Sequence, residues 1–258
     1  MLIVDDLKNN NFNLIFIKNK HSKNRTLVIR YIIFDTETTG LDPLSGDRVI
    51  EIGCVEMLDK QITGKEYHQL INPECKISQE TIEITHITNE IVADKPVFKD
   101  IASDFLAFLQ DNSSGAEKIV LVAHNASFDL KFLNHELKLV GLEGALSSFE
   151  VLDTLEIARR KYPGQKASLD VLCNRFGISL EERKKEGHGA LLDSKILADV
   201  FIKLLEDTNV DTLGTDELDF VGFKKRNEVL KTREIYKLTE EDLQKHKQFL
   251  EENEINLE

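Results

Sequence analysis

Five side chains in this chain could share one piece of chemistry. Asp35 and Glu37 stand at the end of a short apolar run in Tyr31–Gly40, YIIFDTETTG. Side chains on a strand alternate between faces, so residues two apart project together. Two carboxylates that close repel each other, and both ionise only with a cation between them. Asp129 lies in HNASFD, directly after a second apolar run, and His188 and Asp193 lie in EGHGALLDS. Each alone has an ordinary reading: a solvated strand end, a first-turn acid favoured by a helix dipole, a loop histidine, a solvated helical face. A calcium loop starting at Asp35 is excluded, because position twelve would be Gly46 and the lead-in is strand-like. Together, four carboxylates beside apolar core, with no cysteine among them, suit Mg²⁺ or Mn²⁺. Two such ions about 3.5–4 Å apart stabilise the attacking and leaving oxygens of an in-line displacement at phosphorus. A base must still take the proton of the attacking water. His188 suits that task, since an unperturbed histidine titrates near ~6.5. The chemistry implied is phosphodiester hydrolysis.

These residues need elements to carry them. Tyr31–Phe34 reads as a buried central strand ending in the acids. Arg48–Leu58 and Lys65–Ile71 read as a second and a third strand, linked by a hairpin over Asp59–Gly64. Ser78–Ile91 reads as a short helix and a loop. Pro96 opens a longer helix, in which Phe98, Ile101, Phe105 and Leu109 recur at helical spacing. Ile119–Ala123 reads as another buried strand. It leads into a helix capped by Ser127 and ended by Gly141. Phe149–Leu152 reads as a fifth strand, Asp153–Lys161 and Ser168–Phe176 as helices, and Gly189–Leu205 as the last long helix. Hairpin-linked strands followed by alternating helix and strand predict an α/β domain with a mixed sheet.

The chain's 258 residues, 41% hydrophobic, suffice for one sizeable core. No apolar run approaches the ~20 residues that span a membrane. Cys54, Cys75 and Cys173 are odd in number and widely spaced, which excludes a disulfide framework and a zinc pattern and predicts a reducing cytoplasm. A net charge of −13 excludes a protein that coats nucleic acid through basic side chains. It leaves room for an enzyme that grips one strand end through metal ions. Much of the excess lies late: from Glu206 onward there are 8 Lys and Arg against 15 Asp and Glu. Residues 1–24, rich in Asn and Lys, read as a poorly ordered extension, 25–205 as the catalytic domain and 206–237 as an acidic linker. Residues 238–258 read as a terminal helix. Thr239 and Asp242 have capping-box spacing there, and Leu238 and Leu243 form a hydrophobic staple, which suits a docking segment.

DTETTG, HNASFD and HGALLD, in that order, resemble the three motifs of the DEDDh 3′→5′ exonuclease superfamily, over about Tyr31 to Leu205. The resemblance implies a ribonuclease-H-like, five-stranded mixed sheet flanked by helices, with Asp35, Glu37, Asp129 and Asp193 as metal ligands and His188 as general base. RVIEIGCVEM, DTLEIARRKYPGQKASLDVLCNRFGI and HGALLDSKILADV are similar to the epsilon subunits of bacterial DNA polymerase III. This implies proofreading: removal of mispaired 3′-terminal deoxynucleotides as 5′-monophosphates. It also implies that Asp35, Glu37, Thr38 and Thr39 meet the terminal nucleotide, with Glu80 and either Thr85 or His86, where relatives often carry His-Gly. The partners implied are a DNA 3′ end, the polymerase catalytic subunit through the tail, and a sliding clamp through Thr215–Phe220, TDELDF, which has a Leu-x-Phe ending without the usual leading Gln. Two other readings compete: an RNA-trimming or repair exonuclease of the same superfamily, and a non-catalytic module that binds nucleic-acid ends.

Overall fold

The computed structural model describes residues 28–207. The expected extension over 1–24, the peptide Thr215–Phe220, the terminal helix over 238–258 and all but the start of the linker lie outside them. Five strands form one mixed sheet: β1 (Ile29–Thr38), β2 (Val49–Leu58), β3 (Gln61–Leu70), β4 (Lys118–Ala123) and β5 (Glu150–Asp153), in the order β3-β2-β1-β4-β5. β1 is central, antiparallel to β2 and parallel to β4. The helices are α1 (Gln79–Thr85), α2 (Asn89–Val92), α3 (Phe98–Gln110), α4 (Ala126–Leu139), α5 (Thr154–Lys161), α6 (Leu169–Phe176), α7 (Glu181–Glu186) and α8 (Ala190–Glu206). Among the described residues, no helix is long and apolar enough to cross a membrane.

The period-two alternation of β1 sorts the layers. Ile32 and Phe34 pack with Phe98, Ile101, Phe105 and Leu109 of α3 and with Phe132, Leu133 and Leu137 of α4. Tyr31 and Ile33 face the other way, onto Leu197, Ala198 and Phe201 of α8. Asp35 and Glu37 have the parity of Tyr31 and Ile33, so they leave the sheet on the α8 face. Gly53, paired with Asp35 on β2, lets α8 approach. A β-carbon there would lie 2.2 Å from the backbone nitrogen of Leu191.

Several expectations need correction: α2 begins within the stretch expected as a loop, and α7 lies where no element was expected. The third strand begins at Gln61 rather than Lys65. Asp59 and Lys60 close a two-residue turn, both at positive φ (45° and 68°), as the twist of a tight hairpin requires. Gly64, expected in the link, lies inside β3 near a register shift opposite Val55–Met57. The helix expected to be capped by Ser127 starts at Ala126, with Asn125 at its cap in the left-handed region. Its first amides are satisfied from β5: Asp153 accepts from Asn125 N at 3.0 Å and from Ala126 N at 3.1 Å.

Candidate active site

Each of the five side chains sits where an element begins or ends. Asp35 and Glu37 are near the C-terminal end of β1, Asp129 is in the first turn of α4, and Asp193 is in the first turn of α8. His188 lies on the loop between α7 and α8 and is half-exposed. Asp129 and Asp193 are buried, Asp35 and Glu37 half-buried. One oxygen each of Glu37 and Asp193 and a ring nitrogen of His188 lie within 4.8 Å of one another. Asp129 is tied to β1 from the other layer: its Oδ1 accepts from Thr36 N at 3.0 Å and from Thr36 Oγ1 at 2.8 Å.

The acids strain one another. Burial, then Asp129, Glu37 and Asp193, push the Asp35 carboxyl well above the usual range, while Arg183 pulls it back. Burial, then Asp193 and Glu51, push Glu37 up to about 8. Burial pushes Asp129 up to about 7 against its hydrogen bonds from Thr36. Carboxylates crowded in this way ionise together only with positive charge among them. Asp193 Oδ1 is buried with no hydrogen-bond partner. Four carboxylates beside one histidine, with a buried carboxylate oxygen that no hydrogen bond satisfies, fit a hard divalent cation. The His188 ring is raised above its ordinary value, chiefly by Asp193, whose Oδ2 lies 3.3 Å from Nδ1.

The surroundings fix these positions. Thr39 N donates to Arg48 O at 2.8 Å, and Thr39 Oγ1 accepts from Arg48 N at 3.0 Å. Thr38 Oγ1 donates to Gly40 O at 2.6 Å. Both threonines therefore build the turn that follows the acids. Gly40 permits it, since a β-carbon there would stand 2.4 Å from the Asp47 carboxylate oxygens. α1 docks on the same turn, with Thr81 Oγ1 donating to Thr39 O at 3.0 Å. On α1, Glu80 is exposed in the first turn. Thr85 is buried, its hydroxyl donating to Thr81 O and accepting from Ile87 N. His86 ends the helix at φ 60°. A β-carbon on Gly187 would stand 2.7 Å from its Nδ1, and His188 N donates to Ile84 O at 3.1 Å. The structure thus brings the end of α1 against the loop that carries His188.

Four residues of the site escaped the sequence reading. Glu51, on β2 opposite Glu37, caps α8 by accepting from Ala190 N at 2.8 Å, in place of the side chain that Gly189 lacks. Its other oxygen meets His68 Nε2 at 2.6 Å. An acid inside the apolar run VIEIGCV was the available signal. Asp153 and Thr36 hold α4, as described. Arg183, on α7, meets His188 Nδ1 with Nη2 at 2.7 Å and Asp193 Oδ1 with Nε at 2.8 Å. Its segment EERKKE is polar throughout and carries no periodic signal.

A mixed sheet in this order, with acids at the end of its central strand and on two helices of opposite layers, defines a ribonuclease-H-like nuclease domain. Solved structures agree. The nuclease domain of 3′hExo, a DEDDh family member bound to rAMP, aligns with a TM-score of 0.59 at 20% identity, over 72% of this chain and 96% of that one. Exonuclease X, in complex with 5′ overhanging duplex DNA, aligns with a TM-score of 0.53 at 28% identity, over 70% and 92%. The model of the RNase_T exonuclease family matches residues 32–201. The DNA polymerase III subunit epsilon of Rickettsia prowazekii (strain Madrid E) is 42% identical over 229 residues, 86% of this chain and 96% of the relative. That of Pasteurella multocida (strain Pm70) is 42% identical over 180 residues, 68% of each. This chain belongs to the exonuclease family that these epsilon subunits share.

Proposed function

We propose that this chain is the 3′→5′ proofreading exonuclease subunit of a DNA polymerase III, removing mispaired 3′-terminal deoxynucleotides during replication. The observation that carries the reading is the convergence of four acids and one histidine at the end of β1. Asp35, Glu37, Asp129 and Asp193 would hold two divalent cations, Mg²⁺ or Mn²⁺, which supply charge stabilisation at both ends of an in-line displacement. His188 takes the proton of the attacking water. Asp193 beside it favours the protonated imidazole that results. Thr38 and Thr39 shape the turn against which the terminal nucleotide rests. Glu80 and His86 present α1 to it, and Thr85 contributes through the helix end it closes. A mismatched terminus is the least costly to unpair, so it reaches such a site most readily.

In the same reading, the catalytic domain spans residues 25–205 of a cytoplasmic replication protein. The linker over 206–237 and the helix over 238–258 dock it on the polymerase catalytic subunit, and Thr215–Phe220 engages a sliding clamp.

The test is digestion, with Mg²⁺ or Mn²⁺, of 5′-labelled DNA with a paired end, the same DNA with a mismatched 3′ end, and RNA of equal length. The expected result is faster loss of mismatched DNA ends, with the His188→Ala variant slower by about 10²–10⁴-fold. Preference for RNA would move the chain to the trimming enzymes. No metal-dependent cleavage of any substrate would leave a binding module.

A further inference from the structure

We infer that Arg183 is the site's internal counter-cation, a positioning residue that holds Asp193 and His188 until a divalent ion displaces it. The inference rests on the reading of the acids as a metal site. Arg183 is only 11% exposed at its side chain. Its guanidinium has three partners on three segments: Asp193 Oδ1 on α8 at 2.8 Å, His188 Nδ1 at 2.7 Å, and Asp170 Oδ1 on α6. The contact with Asp193 is an ion pair without hydrogen-bond alignment, for both Arg183 Nε and Asp193 Oδ1 are buried atoms lacking a hydrogen-bond partner. This oxygen is compensated by charge alone, and a divalent ion supplies more charge there than a guanidinium does. The two cations repel, so one oxygen cannot serve both well.

The guanidinium has a place to retreat. Asp170 is 60% exposed at its side chain, whereas Asp193 is 5% exposed. Arg183 can keep that partner while giving up Asp193. Its helix is short, and its N-cap, Leu180, makes no side-chain capping bond.

The test measures Mn²⁺ binding by calorimetry on the full chain without substrate, for wild type, Arg183→Gln and Asp170→Asn. Arg183→Gln removes the competitor and is expected to bind Mn²⁺ about tenfold tighter. Its melting temperature should fall in chelator and recover with saturating Mn²⁺. Asp170→Asn removes the outer anchor, keeps Arg183 on Asp193 and is expected to weaken Mn²⁺ binding by about threefold. Unchanged or weaker binding in a folded Arg183→Gln overturns the inference. If that variant does not fold, unchanged binding in Asp170→Asn overturns it. Wild type that binds no Mn²⁺ instead overturns the metal-site reading itself, which separates the two failures.

Discussion

Glu37, raised to about 8, and Asp129, raised to about 7, set the pH behaviour of the metal-free protein. Below the ordinary carboxylate range both groups are protonated in the folded and the unfolded chain, and burial costs nothing electrostatically. As pH rises past about 4, the unfolded chain ionises first and the folded chain keeps its protons. Stability therefore falls with rising pH until these folded values are passed near pH 8. Melting temperatures in chelator should decline steadily from pH 5 to pH 8, and saturating Mg²⁺ should flatten the decline. Asp35→Asn removes a buried carboxyl whose ionisation the fold opposes. It should raise the melting temperature in chelator while abolishing cleavage. Stability rising as function is lost is the mark of a strained site. A pH-independent melting curve in chelator would mean that the acids are already compensated.

At the scale of elements, the contact between β2 and α8 places Asp193 and His188 beside the acids of β1. Gly53 permits the approach, Ser194 Oγ donates to Gly53 O at 2.9 Å, and Glu51 caps the helix. The atoms a new β-carbon would meet at Gly53 are backbone, at 2.2–2.4 Å, and no rotamer change relieves them. Gly53→Ala should displace α8, lower stability by about 1–3 kcal/mol and, by misplacing Asp193 and His188, slow cleavage by about 10²-fold. Chemical denaturation and single-turnover kinetics would check both. Full activity in Gly53→Ala would show that the helix start can move without harm to the chemistry.

Across the whole molecule, stability and chemistry are held at opposite ends of β1. Arg30 is fully buried and paired with Glu56, and it donates to the carbonyls of Leu109 at 2.9 Å and Phe108 at 3.1 Å. It thereby fastens the end of α3 to the sheet. It lies five residues before Asp35, roughly 16 Å along the strand. Glu56→Ala leaves the guanidinium buried without its carboxylate and should cost about 3–5 kcal/mol. Cleavage per folded molecule should stay unchanged. Urea unfolding read beside activity tests this, and a loss of activity larger than the unfolded fraction would mean that the sheet transmits the disturbance to the site.

Local patterns sufficed for part of this protein. The apolar run before Asp35 and Glu37, the period of two that turns both acids to one face, and the helical spacing of Phe98, Ile101, Phe105 and Leu109 are legible along the chain, because backbone geometry alone sets their directions. So are the three motifs and their order. Other features depended on which distant segments the fold makes neighbours. The turn at Asp59-Lys60 carries no glycine to announce it. The cap of α4 comes from Asp153 on β5, and that of α8 from Glu51 on β2. Thr85 turns inward, although the family resemblance implied that it or His86 meets the nucleotide. Arg183 reads as one charge among six polar residues until α7 is set against α8. Spacing along one element is a short-range property that the sequence by itself determines. Compensation of buried charge belongs to pairs far apart in the chain, so only the tertiary structure decided it.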